Sequence, residues 1–159
     1  MTVTEGNDMA GRDQSDDVRD IKNLISEQFR TGLQWTPSKP ADWATFANGF
    51  LPDGSLFPAA RPVRRQAVDA FIARMSGLAQ NKLRSFQETM LGADVLVFGN
   101  IAVALAASEL VENGTDVNHD VTGFLLVKSE GKWRIAAQAW DHESDEMPVP
   151  DRLRPRPRR

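Results

Sequence analysis

The chain has 159 residues, of which 41% are hydrophobic and 26% are charged, and it contains no cysteine. These values are typical of one soluble globular domain with a real core. The missing cysteine excludes disulfides and thiolate chemistry, and it fits a cytoplasmic protein. No apolar run is long enough to cross a bilayer, and the polar, acidic start does not resemble a secretory signal, so we expect no membrane association.

The net charge of −3 is divided unevenly along the chain. The last nine residues hold five arginines and one aspartate, which leaves an acidic remainder. An acidic body argues against a dedicated nucleic-acid binder. We expect residues 146–159 to be a disordered Pro/Arg-rich tail, which could alternatively contact a phosphate or an acidic partner.

Three helices are predicted in the first half of the chain, after a disordered segment over residues 1–15. Apolar residues at helical spacing mark the first helix: they are Val18, Ile21, Ile25, Phe29 and Leu33. A short second helix should begin near Pro40 and end in a left-handed conformation at Asn48-Gly49. The third helix is predicted over about residues 63–80, with Phe71 and Met75 on its apolar face.

Strands are predicted after the second helix and throughout the second half of the chain. A short strand covers residues 51–58, and four longer ones cover about 82–97, 101–112, 116–129 and 132–142. The first of these four should bend near Gly92-Ala93. Asn113-Gly114 is a strong hairpin signal. Residues 16–145 are therefore predicted to form one α+β domain, with three helices packed on a curled, mainly antiparallel sheet.

Both faces of this predicted sheet are largely apolar. Since side chains alternate between faces, Trp133 and Ile135 share one face of the last strand, while Gln138, Trp140 and His142 share the other. Three helices of this size can cover only one face. An uncovered apolar face would be unfavourable in water, so we expect a homodimer formed through the outer face of the sheet.

The order of these segments resembles the nuclear transport factor 2-like superfamily, which includes SnoaL-like proteins and ketosteroid isomerases. The resemblance covers about residues 16–145, and order and spacing carry it. Its features are Phe50-Leu-Pro-Asp-Gly-Ser-Leu56, the third helix, the Asn113-Gly114 hairpin and Gly131-Lys-Trp-Arg-Ile-Ala136. It implies a cone-shaped barrel, often dimeric, with a pocket between helices and concave sheet. The superfamily contains both enzymes and binding proteins, so the fold leaves function open.

By this resemblance, the groups that ketosteroid isomerase uses are missing. That enzyme needs a carboxylate base, a tyrosine and a protonated aspartic acid. This chain has no tyrosine. Pro58 aligns with the base, and Gly123 aligns with the acidic donor. Only Trp140 matches a residue of the isomerase pocket, so we do not expect steroid-type isomerisation by the usual groups.

The same register gives the candidate ligand-binding residues of the cone. They are Trp35, Phe71, Met75, Phe86, Ser108, His119, Gln138 and Trp140. Glu88 and His142 are further inward candidates, while Asp120 is expected to point the other way. Small alanines beside these residues leave room for a modest apolar ligand. The alternative is that the tryptophans fill the cone as ordinary core.

Two functional hypotheses use this pocket, and a third does not. The first is a SnoaL-like protein that binds a small, largely apolar molecule without a metal or organic cofactor. The second is a cofactor-independent lyase, isomerase or hydrolase, with Asp53 and His119 as its acid–base pair. A turn role for Asp53 and a polar rim role for His119 are the competing interpretations. The third is a protein-interaction module that uses the outer sheet face or the arginine-rich tail.

A metal site is only weakly suggested. Asp141, His142 and Glu143 follow one another on a single strand, where neighbouring side chains diverge to opposite faces. We therefore predict no metal.

Overall fold

Three helices lie against the concave side of a strongly curled seven-stranded sheet in the computed structural model, which describes residues 14–157. The helices are α1 (Gln14–Gly32), α2 (Trp43–Asn48) and α3 (Val68–Gln80). The strands are β1 (Gln34–Trp35), β2 (Phe50–Phe57), β3 (Gln66–Ala67), β4 (Phe86–Phe98), β5 (Ile101–Glu112), β6 (Asp116–Ser129) and β7 (Lys132–His142). This arrangement confirms the predicted α+β cone.

The strand order across the sheet is β1-β4-β5-β6-β7-β2-β3. All neighbouring pairs are antiparallel except β2 and β7, which run parallel. The long strands β4 to β7 therefore form the wall of the cone. No helix in the described part of the chain is both long and apolar enough to span a membrane.

The core lies between the helices and the inner face of this wall. Helix α1 buries Ile21, Ile25 and Phe29, as its apolar spacing predicts. Helix α3 buries Phe71 and Met75. Each such side chain contributes roughly 1.5–3 kcal/mol when it is removed from water. The helices are therefore held mainly by this apolar stripe, which is why they can be predicted from sequence.

Of the predicted disordered start, residues 1–13 lie outside the described residues, while Gln14 and Ser15 belong to α1.

Two helix boundaries differ from the sequence prediction. Helix α2 begins after Asp42, whose carboxylate accepts a hydrogen bond from the Thr45 amide at 3.1 Å. Its end at Gly49 has a φ of −71° and is not left-handed. Glycine is needed there for another reason, because a Cβ would lie 2.4 Å from the Gln28 side chain. Helix α3 begins at Val68 rather than near residue 63, because Gln66 and Ala67 pair with β2.

The hairpin between β5 and β6 shifts the predicted register by one residue. A two-residue Asn-Gly turn would pair Glu112 with Thr115. The structure instead pairs Glu112 with Asp116, which leaves Asn113, Gly114 and Thr115 in the turn. Because side chains alternate, one residue of slip exchanges the two faces of the whole strand. The predicted inward positions of His119 and Val121 are therefore wrong, and Asp120 and Thr122 point inward instead.

A bulge in β7 explains a second difference in side-chain direction. Leu125 pairs with Ala137, but the next residue, Leu126, pairs with Ile135, so Ala136 has no partner. An unpaired residue restarts the alternation. Trp133 and Ile135, predicted to face outward, are therefore buried inside the cone together with Gln138. The bend predicted near Gly92-Ala93 of β4 is present, since Leu91 is the unpaired residue between Met90 and Gly92.

The arginine-rich end is docked on the outer face of the sheet through residue 154. A short 3₁₀ turn, Asp151–Leu153, places Leu153 in a buried cluster with Val149 and Ala107. The Leu153 carbonyl approaches Gly92 so closely that a Cβ at Gly92 would lie 2.6 Å away. The expectation of a disordered tail is therefore wrong for this segment. We call residues 143–154 the C-terminal strap.

Candidate functional site

A cavity of about 300 Å³ lies inside the cone, between α1, α3 and the sheet. Most of its wall is apolar. The apolar lining residues are Phe29, Leu33, Pro58, Ala59, Ala60, Phe71, Met75, Leu78, Leu83, Phe86, Leu110 and Trp140. Arg74, Glu112, Thr122 and Gln138 are polar residues that also line it. Phe71 of α3 and Trp140 of β7 meet edge to face, with ring centroids 5.8 Å apart. Such a wall suits an apolar molecule whose orientation is set by a few polar groups.

Four polar side chains form a band across the concave face of the sheet. They are Glu88 of β4, Ser108 of β5, Asp120 of β6 and His142 of β7. Ser108 pairs with Asp120, and Asp120 pairs with His142, so three of the four lie in one cross-strand row. Glu88, Asp120 and His142 line the cavity directly. We call these four residues the polar band.

Glu88 is at the buried end of the polar band. The Ser108 hydroxyl donates a hydrogen bond to Glu88 Oε2 at 2.7 Å, and both side chains are buried. Burial raises the pKa of Glu88 to about 8, although the Ser108 hydrogen bond opposes this and the nearby Asp120 charge adds to it. Desolvation disfavours the charged carboxylate. Glu88 is therefore mostly protonated at neutral pH and can donate a hydrogen bond into the cavity.

Asp120 and His142 form a pair at the other end of the band. His142 Nδ1 lies 2.6 Å from Asp120 Oδ1. Asp120 is buried, whereas the His142 side chain is exposed at the cavity mouth. Burial raises the pKa of Asp120, and the hydrogen bond and charge of His142 act in the opposite direction. The pair thus offers a proton acceptor inside the cavity with a histidine that connects it to the mouth.

Most of the ligand-binding residues predicted from sequence are at the cavity. The residues that line it are Phe71, Met75, Phe86, Glu88, Gln138 and Trp140. Ser108 does not line it but donates a hydrogen bond to Glu88.

Trp35 lies outside the cavity. It stacks on Phe86 with ring centroids 5.0 Å apart, and its indole donates to the Leu83 carbonyl at 2.8 Å. Its position is that of a core residue with a satisfied indole.

The predicted acid–base pair of Asp53 and His119 is not brought together. Asp53 is exposed in an irregular part of β2 and lines a different surface groove, with Arg65 and Arg134. His119 lies on the outer face of β6, where it contacts Glu143 and Glu109. The register shift at the β5–β6 hairpin is the reason that His119 is outside.

Asp120 is the residue of the polar band that sequence reasoning missed; Arg74, Glu112 and Thr122 also line the cavity without having been predicted. Both faces of its strand carry apolar residues after residue 120, so the pattern alone does not identify the inner side. The turn decides which side faces inward. Asn113 and Gly114 have φ values of 51° and 76°, as in a type I′ turn, and the Thr115 amide donates to the Glu112 carbonyl at 3.2 Å. Thr115 is then left unpaired before Asp116, and the Asn-Gly signal alone does not reveal this extra residue.

Metal binding has little support in the described residues. Residues 14–157 contain no group of three or more histidine and acidic side chains arranged to hold a metal ion. Asp141, His142 and Glu143 diverge, because His142 faces the cavity while Glu143 faces the strap.

Comparison with known proteins gives matches among solved structures alone, since no protein-family model and no curated protein matches the chain. A nuclear transport factor 2-like (NTF2-like) protein with a cystatin-like fold from Novosphingobium aromaticivorans has a TM-score of 0.67 and 17% identity. This match covers 84% of this chain and 87% of the other.

Two further structures are similar to this chain. A proposed scytalone dehydratase from the same organism has a TM-score of 0.64 and 12% identity, over 82% and 87% of the two chains. A proposed dehydratase of the NTF2-like family from Streptomyces avermitilis has a TM-score of 0.62 and 14% identity, over 83% and 99%. At these identities the matches establish the fold alone. The chain therefore has the cystatin-like fold of nuclear transport factor 2-like proteins.

Proposed function

We propose that the cavity binds a small, largely apolar carbonyl or hydroxy compound and that the polar band transfers protons on it, as a lyase or isomerase would. One observation carries this proposal. A buried acid whose pKa is raised to about 8 by burial and a buried aspartate paired with histidine open into the same, largely apolar cavity. Both groups serve acid–base chemistry without an added cofactor.

The two carboxyl groups have different surroundings and so suit different roles. Asp120, beside His142, accepts a proton from a carbon next to a carbonyl group. Protonated Glu88 donates a hydrogen bond to the carbonyl oxygen, on which negative charge develops. The apolar part of the wall strengthens both interactions because it lowers the local dielectric constant. The proposed dehydratases among the similar structures make loss of a hydroxyl group one reaction to examine, with Glu88 as its acid.

Deuterium exchange into a simple ketone tests this proposal. We expect the protein to accelerate exchange of the α-hydrogens of 2-tetralone in D₂O, followed by ¹H NMR. Asp120→Asn should remove the acceleration, and Glu88→Gln should reduce it by about 10²-fold, the typical worth of one oxyanion donor. Asp116→Asn is the matched control, because Asp116 lies on the same strand but is exposed at its start. Equal rates for Asp120→Asn and wild type would refute the proton-transfer role.

Binding without catalysis is the simpler form of the proposal. It is supported by the apolar wall alone, and it predicts that 2-tetralone perturbs the Trp140 indole signal while the α-hydrogens of 2-tetralone do not exchange.

The cytoplasmic location stays a prediction.

A homodimer through the outer sheet face also belongs to this proposal. It is supported by exposed apolar side chains on β4, β5 and β6.

A further inference from the structure

We propose that Glu143 is a positioning residue whose carboxylate fastens the C-terminal strap to β6 and thereby holds the end of β7, with Trp140 and His142, at the cavity mouth. The functional meaning of this role rests on the proposed proton transfer by Asp120 and His142. The positioning itself can be measured without any substrate.

The end of β7 has backbone pairing on one side alone. Strand β2 pairs with β7 as far as Phe57 and Ala139. Beyond that point, Trp140, Asp141 and His142 pair with β6, and within the named strands they have no partner on the other side. Strand ends with few neighbours open more readily than the sheet interior. The two cavity residues of this segment therefore need a further restraint.

Glu143 supplies contacts in two directions from this strand end. Its Oε1 lies 3.0 Å from His119 Nδ1 on β6. Its Oε2 accepts hydrogen bonds from the Val149 amide at 2.7 Å and from Arg154 Nη2 at 3.0 Å. Its own amide donates to the His119 carbonyl at 2.8 Å, which extends the β6–β7 ladder by one residue. One carboxylate thus joins the end of β7, strand β6 and the strap.

The strap is anchored independently at its far end. Leu153 and Val149 are buried against Ala107, with Leu91 and Val121 packed around them. Arg152 forms an ion pair with Asp94 of β4 at 3.3 Å. Because the strap is fixed to β4 and β5 in this way, the Glu143 contacts tie the end of β7 to the rigid centre of the sheet.

Two histidine–carboxylate pairs cross the same two strands on opposite faces. Asp120 and His142 form the inner pair, while His119 and Glu143 form the outer pair. Their members are consecutive residues on β6 and on β7. Displacement of β7 that breaks the outer pair therefore also moves His142 away from Asp120.

The charged groups around this junction favour the closed arrangement. His119 is faced by Glu143, the residue that follows β7, and by Glu109 from β5, at 3.3 Å. Arg154, at the other end of the strap, faces Glu143, while Asp141 is the acidic neighbour of the inner pair. The pKa of Glu143 is lowered, first by the hydrogen bond from the Val149 amide, then by the hydrogen bond to His119, with the Arg154 charge adding to these.

The test compares Glu143→Gln with Glu146→Gln, an exposed acid in the same loop, in the full-length chain. Two measurements are made on each protein. The first is hydrogen exchange of the amides of residues 140–143. The second is the long-range ¹H–¹⁵N spectrum of the two histidine rings, assigned with His119→Gln.

We expect Glu143→Gln to speed exchange of these amides by about tenfold relative to β5. We also expect it to remove the ring signature of a hydrogen-bonded Nδ1 in His142, which a purely structural loss elsewhere would leave intact. Glu146→Gln should change neither. Arg154→Gln removes one of the contacts to Glu143 and should give the same changes at smaller size. It serves as the second variant in case Glu143→Gln does not fold.

Unchanged exchange and an unchanged His142 ring in both Glu143→Gln and Arg154→Gln would overturn the positioning role. The 2-tetralone assay separates this result from the proposed function. Altered NMR signals with no wild-type ketone exchange would remove the catalytic proposal and leave the positioning role standing. A positioning role that serves catalysis further predicts that Glu143→Gln lowers kcat more than it raises KM.

Discussion

Glu88 is the residue whose burial should control the pH dependence of stability. Its pKa is raised from 4.5 to about 8, chiefly by desolvation. Between these values the unfolded chain loses a proton that the folded chain keeps. The stabilising contribution of Glu88 is therefore complete below pH 4.5 and is lost as the pH rises to 8. The slope from this group is at most about 1.4 kcal/mol per pH unit.

Glu88→Gln should flatten this slope, because the amide keeps an acceptor for the Ser108 hydroxyl and has no proton to lose. We expect the variant to gain free energy of unfolding relative to wild type at pH 8.5 and to gain little or none at pH 5. Urea denaturation at the two pH values measures this difference. Glu146→Gln is the exposed control. A variant that is less stable than wild type by the same amount at both pH values would show that Glu88 is ionised in the folded protein.

His119 should contribute to stability with the same sign as Glu88, as a group that stabilises the fold at mildly acidic pH. Its pKa is raised, first by the hydrogen bond to Glu143; burial opposes this shift, and the hydrogen bond to Glu109 adds to it. A raised histidine pKa contributes stability that is complete below 6.5 and is lost as the pH rises through the folded value. His119→Gln should therefore cost stability at pH 6 and much less at pH 9. Denaturation midpoints in low and high salt check this, since salt should weaken the pH 6 effect. Equal losses at both pH values would mean that the imidazole acts by packing alone.

At the scale of elements, the parts that could be predicted are those fixed by a long apolar repeat. Helix α1 repeats its apolar residues over four turns, and each repeat supports the prediction of a helix with the same buried face. Strands β5 and β7 also follow from length and flanking turns. Whether a strand side chain points inward or outward is harder to predict from sequence, because one extra residue in a turn or a bulge reverses it.

Asp120 and Ala136 illustrate this limit. One extra residue in the β5–β6 turn moved Asp120 into the cavity and His119 out of it. One unpaired residue, Ala136, allowed Trp133 and Trp140 to share the inner face. Both faces of β6 are apolar beyond residue 120, so hydrophobicity did not discriminate between the two registers. The inward direction of Gln138 and Trp140 could be predicted from the apolar pattern of their strand. The direction of Asp120 could not, because it depends on the number of residues in the turn.

The C-terminal strap gives an element-scale prediction. Leu153 is fully buried although it lies between arginines in an otherwise polar segment. Replacing a buried leucine with alanine typically costs 2–5 kcal/mol, so Leu153→Ala should destabilise the fold by about 2–4 kcal/mol. Val117→Ala, at an exposed position of β6, should stay within about 0.5 kcal/mol of wild type. Thermal and urea denaturation measure both variants. If Leu153→Ala had the same free energy of unfolding as wild type, the strap would not be docked in solution.

At the scale of the whole molecule, the apolar outer face remains to be covered. The strap packs over Ala107 and Val121, toward one end of β5. The other end exposes two cross-strand rows, of which Leu96 and Phe98 are 69% and 79% exposed. The exposed apolar members of these rows are Leu96, Phe98, Ile101, Val103 and Leu125. We call them the outer patch.

A second copy of the chain is the partner that we expect on the outer patch. The patch is apolar and lies on the outer face of the sheet beside the β4–β5 hairpin, so two copies can bury it against each other about a twofold axis. Sedimentation should show a dimer at micromolar concentration. Phe98→Glu places a charge in the patch and should give a folded monomer, whereas Met147→Glu, at an exposed apolar residue of the strap, should leave the dimer intact. Because the polar band faces the interior of each cone, the Phe98→Glu monomer should keep its cavity. If wild type sediments as a monomer, the outer patch has some other role.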